Sequence, residues 1–136
     1  MDLVVLGSGT AVPHPLRTSS GYWLQTANGK ILLDLSASAF HRMAEENLEW
    51  WDIDSIWISH FHLDHCAGIA PFLFATRGAP STKDRTKPLK FFGAPGLRCL
   101  IEHFDGINFS TISKSIINLD SIKPWFNSGQ IFFMAD

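Results

Sequence analysis

His60-Phe61-His62-Leu63-Asp64-His65 puts three imidazoles and a carboxylate within six residues. The stretch follows the apolar, β-prone run 53–59 and precedes the apolar run 66–75, so it falls where a strand ends and a helix begins. Residues two apart in extended backbone point the same way, so His60 and His62 can both reach one ion at about 2.0–2.1 Å. Asp64 and His65 sit past the turn and can face a second ion. Two divalent ions roughly 3.5–4 Å apart polarise a scissile group and lower the pKa of a bound water toward 7, giving hydroxide as nucleophile. Nitrogen and oxygen donors of this kind favour Zn²⁺, with Mn²⁺ or Fe as alternatives. The competing reading is a chance surface patch, but few structural needs call for that density of histidine.

Working outward, residues 3–6 form an apolar run closed by Gly7-Ser8-Gly9, which reads as a strand buried on both faces and then a tight turn. Residues 11–20 are rich in Pro, Ser and Thr, with Pro13 and Pro15 flanking His14, and predict a loop. Residues 21–26 and 30–35 read as a hairpin around Ala27-Asn28-Gly29. Ser36 can cap a helix running to Leu48, with Phe40, Met43 and Ala44 on its core face. Residues 66–75 predict one helix that is apolar all round. The stretch 77–87 reads as a polar loop holding four of the eleven basic residues, solvated or able to touch phosphate. A strand at 89–92, a Gly93-Ala94-Pro95-Gly96 turn and a helix presenting Leu97, Leu100, Ile101 and Phe104 follow. Short strands or loops are expected around 116–119 and 131–134. Strands alternating with helices give an α/β class, with a mixed sheet covered on both sides.

The chain has 136 residues, 46% of them hydrophobic and 18% charged, which suits one packed domain and excludes a disordered tail or a solenoid array. A net charge of −2 offers no overall basic field toward nucleic acid. Cys66 and Cys99 lie in apolar sequence without a CxxC pairing and read as reduced thiols, while the N-terminus resembles neither a signal peptide nor a membrane span. The expected location is the cytoplasm, with no membrane partner. Gly7-Ser8-Gly9 with Asp34 hints at a dinucleotide fingerprint, but Val12 occupies the third glycine position and the two prolines prevent the helix that should hold the pyrophosphate. His41 and His103 read as solvated histidines, His14 as a loop residue after the first strand that could border the site, and Trp50, Trp51 and Trp125 as packing residues.

His60 to His65 followed by Gly68 resembles the HxHxDHxxG signature of the metallo-β-lactamase fold superfamily. LGSGTAVP at 6–13, SGYWL at 20–24, LLDLSASAFHRM at 32–43 and FFGAPGL at 91–97 agree in order, and together they look most like the branch of tRNase Z and related phosphodiesterase-like or arylsulfatase-like hydrolases. The resemblance covers about residues 2–104. It implies a four-layer αββα architecture of which this chain, residues 1–136, supplies the N-terminal half. It implies His60 and His62 on a first metal and Asp64 and His65 on a second. Asp64 would also accept a proton from the nucleophilic water. Asp34 resembles the superfamily's buried aspartate that supports the metal-site loop without binding metal.

The expected reaction is hydrolysis of a phosphodiester, with RNA 3′ processing as the leading special case and sulfate or other esters as alternatives. The family pattern also demands a further His, a bridging Asp and a last His, none of which is identifiable here. Two protein ligands per ion fall short of the three that a catalytic zinc usually has. The chain alone is therefore expected to lack substantial activity. The reading from another class is a non-catalytic half-domain that associates with itself or pairs with a missing C-terminal half.

Overall fold

Val5, Tyr22, Leu33, Trp57 and Phe92 stand side by side across five strands, and Val4, Trp23, Leu32, Ile56 and Phe91 form the adjacent row. Alternation along each strand sends the two rows to opposite faces of one sheet. The computed structural model describes residues 1–106 and 123–124. Its sheet has six strands in sequence order: β1 (Asp2–Gly7), β2 (Gly21–Thr26), β3 (Gly29–Leu33), β4 (Ser55–Ile58), β5 (Lys90–Gly93) and β6 (Lys123–Pro124). The first three pair antiparallel, and β3 to β6 run parallel. The helices are α1 (Ala37–Glu45), α2 (Leu63–Cys66), α3 (Ile69–Gly78) and α4 (Leu97–Gly106).

The Trp23, Leu32, Ile56 and Phe91 row is fully buried, in one cluster with Ala39 and Met43 of α1, Ile69 and Phe72 of α3, and Leu97 and Ile101 of α4. Among the described residues, then, these three helices share one face of the sheet. The opposite row is only part-buried, and Leu3 and Val5 of β1 are 59% and 52% exposed. That exposure corrects the reading of β1 as buried on both faces. It is an edge strand with one covered face, a distinction that an unbroken apolar run does not encode.

Ser36 caps α1 as expected, its Oγ accepting from the Ala39 N–H at 3.1 Å. The helix ends at Glu45 rather than Leu48, and the chain leaves through Asn47 at φ +53. Its buried residues are Ala39 and Met43, while Ala44 faces solvent. The apolar run after the histidines is two helices, because the chain bends at Ala67-Gly68. Phe40, Trp50 and Phe72 meet edge to face, and Trp51 packs on Trp50, so these two tryptophans are packing residues. Trp125 and the strands expected near 116–119 and 131–134 lie outside the described residues.

Two of the four basic residues in the stretch 77–87 are tied to the chain rather than solvated or set out for phosphate. Arg85 spends its guanidinium on the carbonyls of Trp51, Ile53 and Lys87, and Lys87 pairs with Asp52 and Asp54. Lys30 joins the cluster through Glu49 and Asp52. Burial lowers the Arg85 pKa. Burial works the same way on Lys30, but hydrogen bonds and charge from Asp52 and Glu49 outweigh it and leave that pKa raised. These groups precede β4 and β5 and follow the β2–β3 turn, so the cluster seals the sheet edge opposite the histidines. No described helix is long and apolar enough to cross a membrane.

Candidate metal centre

Strands β1, β3, β4 and β5 all point the same way, so the loops after them gather at one edge of the sheet, the carboxyl-end position where open α/β sheets bind ligands. Asp34 follows β3 directly. Its backbone turns at φ +58, a conformation that Asp tolerates better than most residues. The Asp34 N–H donates to the Trp57 carbonyl at 2.8 Å, which sets the side chain against the end of β4.

There the buried carboxylate receives three donors. Its Oδ1 accepts from the Ser59 N–H at 2.8 Å. Its Oδ2 accepts from Ser59 Oγ at 3.0 Å and from His65 Nδ1 at 2.7 Å. Ser59 Oγ also lies 2.9 Å from His60 Nδ1. The Leu35 N–H donates to the His65 carbonyl and the Gly68 N–H to the Leu35 carbonyl, so the bend between α2 and α3 is laced to the loop after β3. Ser36 Oγ donates to the Ser19 carbonyl, tying in the loop after β1.

All four residues singled out in the sequence come together. The His60 ring lies 4.7 Å from that of His62, edge to face, and 4.1 Å from that of His65, centroid to centroid. His62 is exposed and its two partners are half-buried. His65 Nε2 and Asp64 Oδ2 are 3.4 Å apart. Two donors about 2.0–2.2 Å from one tetrahedral ion lie about 3.3–3.5 Å from each other, so this pair has the spacing of neighbouring ligands. Asp34 occupies the outer nitrogen of His65, the arrangement by which a carboxylate orients a metal-binding imidazole. The donor set thus fits a divalent ion in chemistry and, for Asp64 with His65, in spacing. Among the described residues, no three His, Cys, Asp or Glu side chains are gathered closely enough to hold one ion.

The other candidates fall elsewhere. His41 is exposed and pairs with Glu45 one turn on, and exposed His103 lies beside the Cys99 carbonyl at 2.8 Å. His14 accepts from the Leu16 N–H in its own turn. Cys66 is buried, and burial with the charges of Asp34 and Asp64 pushes its thiol pKa up, as suits an inert packing residue. Cys99 is exposed, which corrects its apolar reading; both cysteines are free. Reading the sequence missed Ser59. Its signal was a hydroxyl placed just before the first histidine, one residue past a strand paired with the one that ends just before Asp34.

The family model described as anti-Pycsar protein Apyc1 matches residues 1–91. A ribonuclease Z of Exiguobacterium sp. is 33% identical over 102 residues, covering 75% of this chain and 33% of that protein. A ribonuclease Z of Methanococcus aeolicus is 28% identical over 126 residues, covering 91% and 38%. Among solved structures, the short form of human tRNase Z superposes with a TM-score of 0.71 at 26% identity over 86% of this chain and 43% of that one. A metallo-β-lactamase fold protein of Bacillus subtilis superposes at 0.62 and 20% identity, covering 85% and 44%. The chain spans about a third of the length of the curated relatives it matches.

Proposed function

The chain belongs to the anti-Pycsar protein Apyc1 family and has the metallo-β-lactamase fold, and from that premise we propose that it carries half of the metal site of a phosphodiester hydrolase. The observation that supports this most is the convergence of His60, His62, Asp64 and His65, with Asp34 behind them, at the carboxyl edge of the sheet. His60 and His62 would hold one divalent ion, and Asp64 and His65 a second; Zn²⁺ suits the donors best, with Mn²⁺ or Fe next. Bound there, such ions lower the pKa of a water and polarise the phosphorus–oxygen bonds. Asp34 holds the proton on His65 Nδ1 and so keeps Nε2 directed at the site. A carboxylate oxygen of Asp64 takes the proton that the attacking water gives up. RNA is the substrate we favour, because the curated relatives are ribonucleases Z, and 3′ processing of tRNA is its leading special case.

A longer protein that carries this chain is expected to hydrolyse bis(p-nitrophenyl) phosphate with Zn²⁺ or Mn²⁺. Asp64→Asn should cut that rate about 10²–10⁴-fold, the usual worth of a positioned proton acceptor. No metal-dependent turnover, or a rate unmoved by Asp64→Asn, would contradict the reading. The 136-residue chain by itself is expected to show no substantial turnover, because its described residues offer two donors per ion where three or more are usual. Robust activity of the isolated chain, lost in His62→Ala, would overturn that second expectation.

The half-open sheet favours a related reading of its partners. Leu3, Val5, Tyr22, Leu33, Trp57 and Phe92 offer a continuous apolar face without a described helix upon it. Such faces mark interaction surfaces. We propose that a second copy, or a C-terminal half of the fold, covers it. The isolated chain should then self-associate, and sedimentation showing a well-folded monomer at high concentration would rule this out.

A further inference from the structure

We propose that Ser59 is a positioning residue that extends the hold of Asp34 to His60, so that one buried carboxylate fixes the tautomers of imidazoles in both metal pairs. The inference rests on the metal reading above and on an accounting of protons. A serine hydroxyl has one proton to give and two lone pairs, and a carboxylate only accepts. Ser59 Oγ lies 3.0 Å from Asp34 Oδ2 and 2.9 Å from His60 Nδ1. If Ser59 gave its proton to His60, its oxygen would face the carboxylate at 3.0 Å with lone pairs on both sides, a repulsive contact in a half-buried site. The proton therefore goes to Asp34, and the same oxygen must accept from His60. His60 thus carries its proton on Nδ1.

His65 reaches the same state by a direct route. Its Nδ1 lies 2.7 Å from Asp34 Oδ2 and 3.5 Å from Ser59 Oγ, so its proton goes to the nearer carboxylate. As neutral imidazoles, both rings then have Nε2 unprotonated, the form that can bind a metal ion. The Ser59 N–H on Asp34 Oδ1, at 2.8 Å, pins the serine backbone and sets the angle of the hydroxyl. His60, assigned to the first ion, and His65, assigned to the second, therefore depend on one carboxylate, His60 through Ser59 alone.

The test uses the full 136-residue chain, labelled with ¹⁵N and free of metal, in long-range ¹H–¹⁵N spectra of its histidine rings, followed by calorimetric titration with Zn²⁺. His60 and His65 are expected to show the Nδ1–H tautomer. In Ser59→Ala, His60 should shift toward the Nε2–H form while His65 stays put, and Zn²⁺ affinity should fall about 10-fold or more, as for other groups that orient metal-binding histidines. Ser59→Thr keeps the hydroxyl and should restore both. A wild-type His60 in the Nε2–H form, or a Ser59→Ala chain with tautomer and affinity unchanged, overturns the proposal. The expected tautomers with no Zn²⁺ binding at all would instead defeat the metal reading, and with it the purpose assigned to Ser59, while leaving the hydrogen-bond chain in place.

Discussion

Asp34→Ala is expected to weaken metal binding about 10–100-fold and to cost about 3 kcal/mol of stability, the first from losing the group that orients His65 and the second from the donors it strands. The wild-type carboxylate is 6% exposed and satisfies Ser59 N–H, Ser59 Oγ and His65 Nδ1. Each part-buried donor left unpaired costs about 1–3 kcal/mol, and water entering the gap returns some of that. Alanine also fits φ +58 less well than aspartate does, adding about 1 kcal/mol. Asp34→Asn separates the terms. It tolerates the backbone conformation and keeps one acceptor oxygen, so it should lose less stability than alanine, while its NH2 cannot accept and strands either the Ser59 N–H on Oδ1 or the two groups now on Oδ2. Zinc calorimetry together with thermal unfolding checks both. An Asp34→Ala chain with native stability and native zinc affinity would refute the account of this residue.

Gly68→Ala is expected to destabilise the chain by about 3 kcal/mol, at the upper end for a forced extra methyl in a packed site. A Cβ at this position would lie 2.4 Å from the Ser36 carbonyl oxygen and 2.8 Å from that of Leu35, both backbone atoms that cannot swing aside. The conformation itself is no obstacle, since residue 68 has φ −74 and ψ −10. Alanine there would even gain about 0.4–1 kcal/mol by restricting the unfolded chain, so the clash must exceed that to be seen. It would also part the bend between α2 and α3 from the loop after β3, straining the bonds Gly68 N–H to Leu35 O and Leu35 N–H to His65 O. Gly78 is the control, because nothing lies within 4 Å of a Cβ built on it. Chemical denaturation should find Gly78→Ala near neutral; a Gly68→Ala chain equally stable would show that the backbone at the bend yields.

The contrast between these two positions also shows what the sequence could reveal. The histidine cluster was legible because its chemistry is local: four donor residues within six positions end at one sheet edge whatever the rest of the chain does. Asp34 was legible only through a family resemblance, because nothing in its neighbours announces a carboxylate that will face a residue 25 positions on. Ser59 was not read at all, since its role depends on the pairing of β3 with β4. The close approach at Gly68 likewise exists only once the two loops meet.

The fold divided along the same line. Helix α1 and its cap were written in the local pattern. The exposed face of β1 was not, because the apolar runs of β1 and β4 look alike whether one face is buried or two. Arg85 and Lys87 read as a basic loop because their partners, the carbonyls before β4 and the carboxylates of Asp52 and Asp54, lie more than thirty positions away.

The most direct test of the central claim, that the residues around His60 to His65 form a metal site, is calorimetric titration of the purified 136-residue chain with Zn²⁺ beside its His62→Ala and His103→Ala variants. The account predicts saturable binding by the wild type, affinity lowered at least about 10-fold in His62→Ala and unchanged in His103→Ala. No saturable binding by the wild type, or binding that His62→Ala leaves intact, would contradict it.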